Sequence, residues 1–425
     1  MSDQAPQEQE YTREQLVEML QQASELEHAL TCQYLYAAFS LRTGPTGAAP
    51  GMTPSQVTLA GHWDQQITKI AAQEMYHLML ASNLLTSIGE KPHLDRGNFP
   101  QPPKHFSQIN LPSMLAAFDA ATVQRFMCWE KPEQPGWWDD RCKTVAAETS
   151  DVLGFEMLAA ADATYGTIGE LYGHIGKALE THPEWIDPVH AAAQVTTDLV
   201  PFSPPVPAIT TYEEAQRQID VIVLEGEGTA NHDSQAHFAF FHQIHDELTA
   251  GPDFTPAWPT VLNPAYDEKL APPGSTLITA EADPVAAAVG ALCNDAYLLL
   301  LRTLGRLFLP NGESDEQRQT LANAAMAFMP LVIKPLGTLL MRIPLSGPHE
   351  GLFAGPSFEL PQPISLPTAE ALTAWGDLHE DAARLTGRAR VLTVRHGATV
   401  PDLEMVASHL ETILPLFVLE QEAVL

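Results

Sequence analysis

The chain has 425 residues, 45% of them hydrophobic, which is enough apolar material for a sizeable core. Acidic residues outnumber basic ones 53 to 22, giving a formal net charge of −31. Such a surface repels nucleic-acid backbones and anionic lipid, so the expected partner is a small molecule or a cation, with no nucleic acid and no membrane.

The N-terminal MSDQAPQEQE is polar and acidic and lacks the basic-then-apolar pattern of a secretory signal. The longest apolar blocks, near 286–301 and 322–340, are interrupted by polar residues or proline and are expected to be buried helices rather than membrane spans. Cys32, Cys128, Cys142 and Cys293 form no Cys-x-x-Cys pair and are expected as free thiols of a cytoplasmic protein.

Helix signals dominate from the start. Thr12 with Gln15 three residues later is a capping box ahead of a periodic segment reaching about Arg42. Thr53, Pro54 and Gln56 repeat the signal for a second helix running to Gly89. Residues 90–145, rich in proline and tryptophan, read as an irregular excursion with one or two short helices. Further helical stretches are expected from about Ala146 to Thr181, from Thr211 to Gly226–Gly228, and over Gln235–Leu248. Proline and glycine between Gly251 and Gly274 mark a module boundary. Beyond it, Asp283-Pro284 and Ser314–Gln317 start helices, and another lies near Leu403–Leu414. Period-2 alternation is scarce, so the class is mainly α, with a bundle over 11–250 and a helical region over 281–425.

The chemistry lies in polar residues on apolar stripes. One face of the first helix reads Leu16, Leu20, Ala23, Glu27, Leu30, Tyr34, Ala37, Leu41. The second reads Trp63, Ile67, Ile70, Glu74, His77, Ala81, Leu84, Ile88. An unpaired buried carboxylate is costly, and two helices each burying one at mid-length imply a shared cation. Glu-x-x-His places both side chains one turn apart, the spacing by which bundle helices hold two metal ions through a bridging carboxylate. The alternative is a structural Glu–His pair. His237 opens the stripe His237, Phe241, Ile244, Leu248, where a core histidine is the simpler reading. Glu170, and Glu227 between two glycines, are acids beside apolar positions whose inward placement periodicity alone leaves open.

The segments ELEHALTCQYLYAAFS, QEMYHLMLASNLLTSIG, TIGELY, IVLEGEG and AHFAFF, in that order, resemble the ferritin-like iminophenylpyruvate dimer synthase domain of bisindole biosynthesis. The resemblance covers about residues 11–245, and FMCWEKPE, with Glu130, and the later AGPSFE fit it too. It implies a ferritin-like four-helix bundle with metal ligands Glu27, Glu74, His77, Glu170, Glu227 and His237. It also implies iron, one or two ions, with manganese or a mixed Fe/Mn pair as the alternative. The implied activity is oxidation, with dioxygen or peroxide, of a small amino-acid-derived imine. A departure is Ser234 three residues before His237, where an acid is expected; either Glu227 or Asp233 replaces it or the second site is weak, and one metal is better supported than two. Glu25 and Glu225 are the nearest competing acids. A metal-binding storage or accessory module is the competing reading. No Gly-x-Ser-x-Gly, Walker or dinucleotide motif supports a hydrolase or transferase. Residues 281–425 either cover the open end of the bundle or pair two chains into a homodimer.

Overall fold

The computed structural model describes residues 11–44, 51–103, 111–132, 139–155, 165–201, 203–226, 236–251 and 254–419. Two long helices form its centre. Helix α1 spans Arg13–Ser40 and α2 spans Pro54–Ser87, and each begins with the capping box read in the sequence. Thr12 Oγ1 accepts from the Gln15 N–H, and Gln15 Oε1 accepts from the Thr12 N–H at 2.9 Å. Thr53 and Gln56 do the same for α2. From Leu26 to Ser40 every residue of α1 is buried, so this helix is covered on all sides rather than along one stripe. Its inward hydroxyls turn back on the helix: Ser24 donates to the Leu20 carbonyl and Thr31 to that of Glu27, both at 2.9 Å.

The described elements after α2 are α3 (Ala120–Trp129), α4 (Asp139–Leu153), α5 (Ile168–Thr181), α6 (Tyr212–Gly226) and α7 (His237–Ala250). The single helical stretch expected over 146–181 is in fact α4 and α5. Helix α4 begins earlier and stops before Gly154, whose φ of +69° suits glycine. Helix α5 has its own N-cap, Thr167. Beyond a short parallel pairing of Pro264–Ala265 with Thr276–Leu277 come α8 (Pro284–Phe308), α9 (Asp315–Phe328), α10 (Lys334–Leu340), α11 (Ala371–His396) and α12 (Asp402–Ile413). A π-helical turn, Met329–Ile333, links α9 to α10.

The α1–α2 pair is the middle of three layers. On one side α5 packs on α1, α6 and α7 pack on α2, and α3 packs on α7. On the other side α8 packs on α2 and α10 on α1. Gly337 lets α10 come that close, because a Cβ there would lie 2.3 Å from the Phe39 ring. One hydrophobic cluster runs through all three layers. Helix α8 and the stretch Asp315–Leu340 are long and apolar enough to cross a membrane by length and composition, and 56% and 50% of their most apolar windows are buried in the fold.

One expectation changes. Cys128, near the end of α3, is disulfide-bonded to Cys142 in α4, and only Cys32 and Cys293 are free among the described residues. The pairing joins residues 14 apart in sequence, a spacing with no motif to announce it. With a pair formed, cysteine usage no longer argues for a reducing compartment. The AGPSFE acid, Glu359, is a structural knot. Its carboxylate accepts from the Tyr266 N–H at 2.8 Å and from Asn294 and Ser357, both at 2.9 Å.

Candidate metal centre

Glu27 and Glu74 face one another from the middle of α1 and α2, both 1% exposed, with His77 one turn after Glu74 and equally buried. His77 Nδ1 lies 3.2 Å from Glu74 Oε2 and 3.7 Å from Glu27 Oε2. The other oxygen of Glu74, Oε1, points away from His77 and lies 2.7 Å from His237 Nδ1. His237, the first residue of α7, is fully buried, and its Nδ1 is 3.7 Å from Glu130 Oε2. Two groups able to hold a cation result, Glu27–Glu74–His77 and Glu74–Glu130–His237, the ligand atoms of each lying within 4.8 Å of one another. Glu74 belongs to both. Each group then has one carboxylate and one imidazole of its own and shares the other carboxylate.

Glu130 caps the C-terminus of α3, in the stretch read as irregular, and is 1% exposed. Sequence reasoning placed it in the family pattern and not in the ligand set. Val123, Phe126 and Met127 are buried on one face of α3 and Glu130, its C-cap, is the next position of that face, a stripe too short to stand out in a proline-rich stretch. Gly226, the last residue of α6, lies against it, since a Cβ there would sit 3.4 Å from Glu130 Oε2.

Glu170 is not brought to the centre. It sits in the first turn of α5, half-buried, and its carboxylate accepts from the Gly166 N–H at 2.6 Å, which satisfies the helix start. The residue of α5 that reaches the centre is Tyr172, whose hydroxyl donates to Glu27 Oε1 at 2.8 Å. Tyr34, on α1, donates to Glu130 Oε1. Glu227, with Asp233 and Ser234, lies outside the described residues. Its neighbour Glu225 is in contact with the centre, 3.1 Å from His77 Nε2. Glu25, the other competing acid, faces His93 at 3.2 Å instead.

Burial pushes the Glu27 carboxyl up to about 7; the His77 contact opposes the rise and Glu74 adds to it. For Glu74, burial and Glu130 press upward, yet His237 and His77 prevail and its pKa is lowered. Burial acts against both imidazolium ions. For His77, Glu74, Glu225 and Glu27 overcome it and raise the pKa well above the ordinary value. For His237, Glu74 and Glu130 hold it at about 9. A centre with this many buried acids is stabilised by any positive charge it can keep, and here protons on imidazole supply some of it.

The polar atoms fit a cation better than protons. Glu74 Oε1 and both ring nitrogens of His237 are buried without a hydrogen bond of acceptable geometry. The approach of His237 Nδ1 to Glu74 Oε1 is close but misaligned, as expected for two donors to a third atom rather than to each other. Oxygen and imidazole donors in this mixture suit iron, manganese or zinc.

A family model described as ferritin-like matches residues 20–246. The chain is 28% identical over 443 aligned positions to dichlorochromopyrrolate synthase of Lentzea aerocolonigenes, covering 92% of this chain and 40% of that protein. It is 27% identical over 374 positions to 2-imino-3-(indol-3-yl)propanoate dimerase of Chromobacterium violaceum, covering 83% of this chain and 34% of that one. The chain therefore spans well under half the length of these curated relatives. A solved structure of a ferritin-like protein from Caulobacter vibrioides superposes with a TM-score of 0.46 at 21% identity, over 70% of this chain and 88% of that one. The family match takes in more than half of the chain and every residue of the two cation-holding groups, and the protein belongs to the ferritin-like family.

Proposed function

We propose that the chain is a ferritin-like oxidoreductase that holds two metal ions and acts with dioxygen or peroxide on a small, amino-acid-derived imine. The observation that carries the reading is the position of Glu74, turned to a separate Glu–His group on each side. Glu27 and His77 would hold one ion, Glu130 and His237 the other, and Glu74 would be common to both. Iron is the metal we assign, and it would supply one-electron chemistry with dioxygen or peroxide.

The protein's own part is orientation and exclusion of water. Tyr172 and Tyr34 each fix one carboxylate by donating to one of its oxygens, leaving the other oxygen for the cation. Tyr34 is itself held between Phe126 and Phe241, with ring centroids 4.6 and 4.9 Å away, so that flank of the centre is dry. Low dielectric strengthens every charge interaction within it. The imine class rests on the names of the two curated relatives, one a synthase and one an imine dimerase.

Elemental analysis of protein purified without chelator tests the metal reading: two irons per chain are expected, and both fall away in Glu74→Leu. Uptake of dioxygen or peroxide on adding the imine of an aromatic 2-oxo acid tests the reaction. Iron bound normally by Glu74→Leu would overturn the ligand assignment. Iron binding without imine-dependent oxidant uptake would leave a storage or accessory module.

A further inference from the structure

Glu225, in the last turn of α6, touches the metal centre without belonging to either cation-holding group. It stands on the flank of the buried stripe Ala215, Gln218, Ile219 and Ile222, and α6 packs on α2. That packing brings its carboxylate to the outer edge of the His77 ring, where Glu225 Oε2 is 3.1 Å from Nε2 in hydrogen-bonding geometry. The other ring nitrogen, Nδ1, faces the group itself, 3.2 Å from Glu74 Oε2 and 3.7 Å from Glu27 Oε2. One buried ring therefore presents its two nitrogens to two different surroundings.

The two halves of the centre are otherwise alike. They share Glu74, and each has its own carboxylate held by a tyrosine, Tyr172 on Glu27 and Tyr34 on Glu130. The imidazoles differ. Neither ring nitrogen of His237 has a hydrogen bond of acceptable geometry, so among the described residues that ring has no counterpart of Glu225 behind it.

We propose that Glu225 is a positioning residue for the Glu27–Glu74–His77 half-site: by accepting a hydrogen bond from Nε2–H it fixes the tautomer of His77 that turns the Nδ1 lone pair toward a metal ion. The inference rests on the two-ion reading above. A neutral imidazole carries one N–H, and a carboxylate beside Nε2 keeps the proton there. The same bond fixes the plane of the ring and makes Nδ1 a stronger donor. Glu225 acts through His77 and not as a ligand, because its carboxylate meets the ring on the edge away from Glu27 and Glu74. Its side chain is 20% exposed at a helix end, so leucine can stand there without disturbing the core.

The test titrates metal-free whole chain with cobalt(II) in two backgrounds that each keep one half-site. In Glu130→Gln, which keeps the His77 half-site, adding Glu225→Leu should weaken cobalt binding roughly ten- to a hundredfold. Glu225→Gln keeps an acceptor and gives up the charge, and it should recover most of that loss. In Glu27→Gln, which keeps the His237 half-site, Glu225→Leu should change the affinity by less than about fivefold, the remnant of long-range charge attraction. Proton NMR of the cobalt-loaded Glu130→Gln chain reads the hydrogen bond itself. A strongly shifted, exchangeable imidazole proton should be present there, persist with Glu225→Gln, and be lost to solvent exchange with Glu225→Leu. Unchanged affinity in Glu225→Leu, an equal loss in both backgrounds, glutamine no better than leucine, or no exchangeable proton beside Glu225 would each overturn the proposal. Cobalt bound in both backgrounds with no response to Glu225→Leu sinks this inference alone, whereas no cobalt in either background sinks the two-ion reading with it.

Discussion

Replacing Glu130 by glutamine should empty one half of the centre and spare the other. The carboxylate belongs to the group with Glu74 and His237, whose ligand atoms lie within 4.8 Å of one another, and not to the group with Glu27 and His77. Two unit charges about 4 Å apart interact by roughly 4 kcal/mol at an effective dielectric near 20. Glutamine keeps a carbonyl oxygen for the cation and an acceptor for Tyr34, so about half of that, ~2 kcal/mol, should be lost. That is roughly a thirtyfold rise in Kd for one ion. Titration of metal-free protein with iron(II) under anaerobic conditions, read by elemental analysis after gel filtration, would show the tight stoichiometry fall from two to one. Glu27→Gln should do the same for the other ion, and the double variant should bind neither tightly. Two ions held at parental affinity in Glu130→Gln would refute the division into half-sites. Loss of both ions would refute the independence of the halves.

Metal-free protein should lose stability as the pH rises from 6.5 to 9. His237 keeps its proton to about 9 in the folded state and loses it near 6.5 when unfolded, so its contribution is complete below 6.5 and gone above 9, about 3 kcal/mol at most. Urea unfolding at pH 6.5 and 9 measures it, and a midpoint that is flat or rises would refute the sign. Glu313→Ala should cost about 3–5 kcal/mol by the same assay, because it strands Arg306, a 1% exposed guanidinium whose pairing with Glu313 is fully buried. Cys128→Ser with Cys142→Ser opens a loop of 14 residues and should cost about 3 kcal/mol. Cys128 also lies two residues before Glu130, so this variant should weaken the Glu130 half-site more than the Glu27 half-site in the same iron titration.

What the sequence revealed follows from how each residue reaches the centre. Glu27, Glu74 and His77 sit at mid-length on long helices, where a break in an apolar stripe is visible by counting. His237 lies on a stripe too, at its very start, and needed the family pattern to be singled out. Glu170 misled because it occupies the first turn of α5, where an acid serves the free N–H groups as readily as a metal. Glu130 sits at a helix end in a proline-rich stretch, where the one-turn stripe Val123, Phe126, Met127 that leads to it is too short to stand out. The three-layer packing also blurred the reading of α1. A helix buried on all sides has two inward stripes, and His28 belongs to the one that the search for acids passes over. The disulfide was invisible for a similar reason, since only the packing of α3 on α4 brings Cys128 and Cys142 together.

The burial of the centre also says where a molecule can meet it. The side chains of Glu27, Glu74, His77, Glu130 and His237 are at most 2% exposed. Glu225, touching His77 Nε2, is 20% exposed. It is followed at once by Gly226, which lies against Glu130 and leaves room there that a side chain would take. Among the described residues, Glu225 is a partly exposed side chain in contact with the centre. A carboxylate there attracts approaching cations and repels anions. An imine with its own carboxylate would have to approach against Glu225, whereas a neutral or cationic one would not. Glu225→Gln should therefore lower KM for an anionic imine more than for its ester, a comparison that reads the direction of approach without altering the proposed ligands.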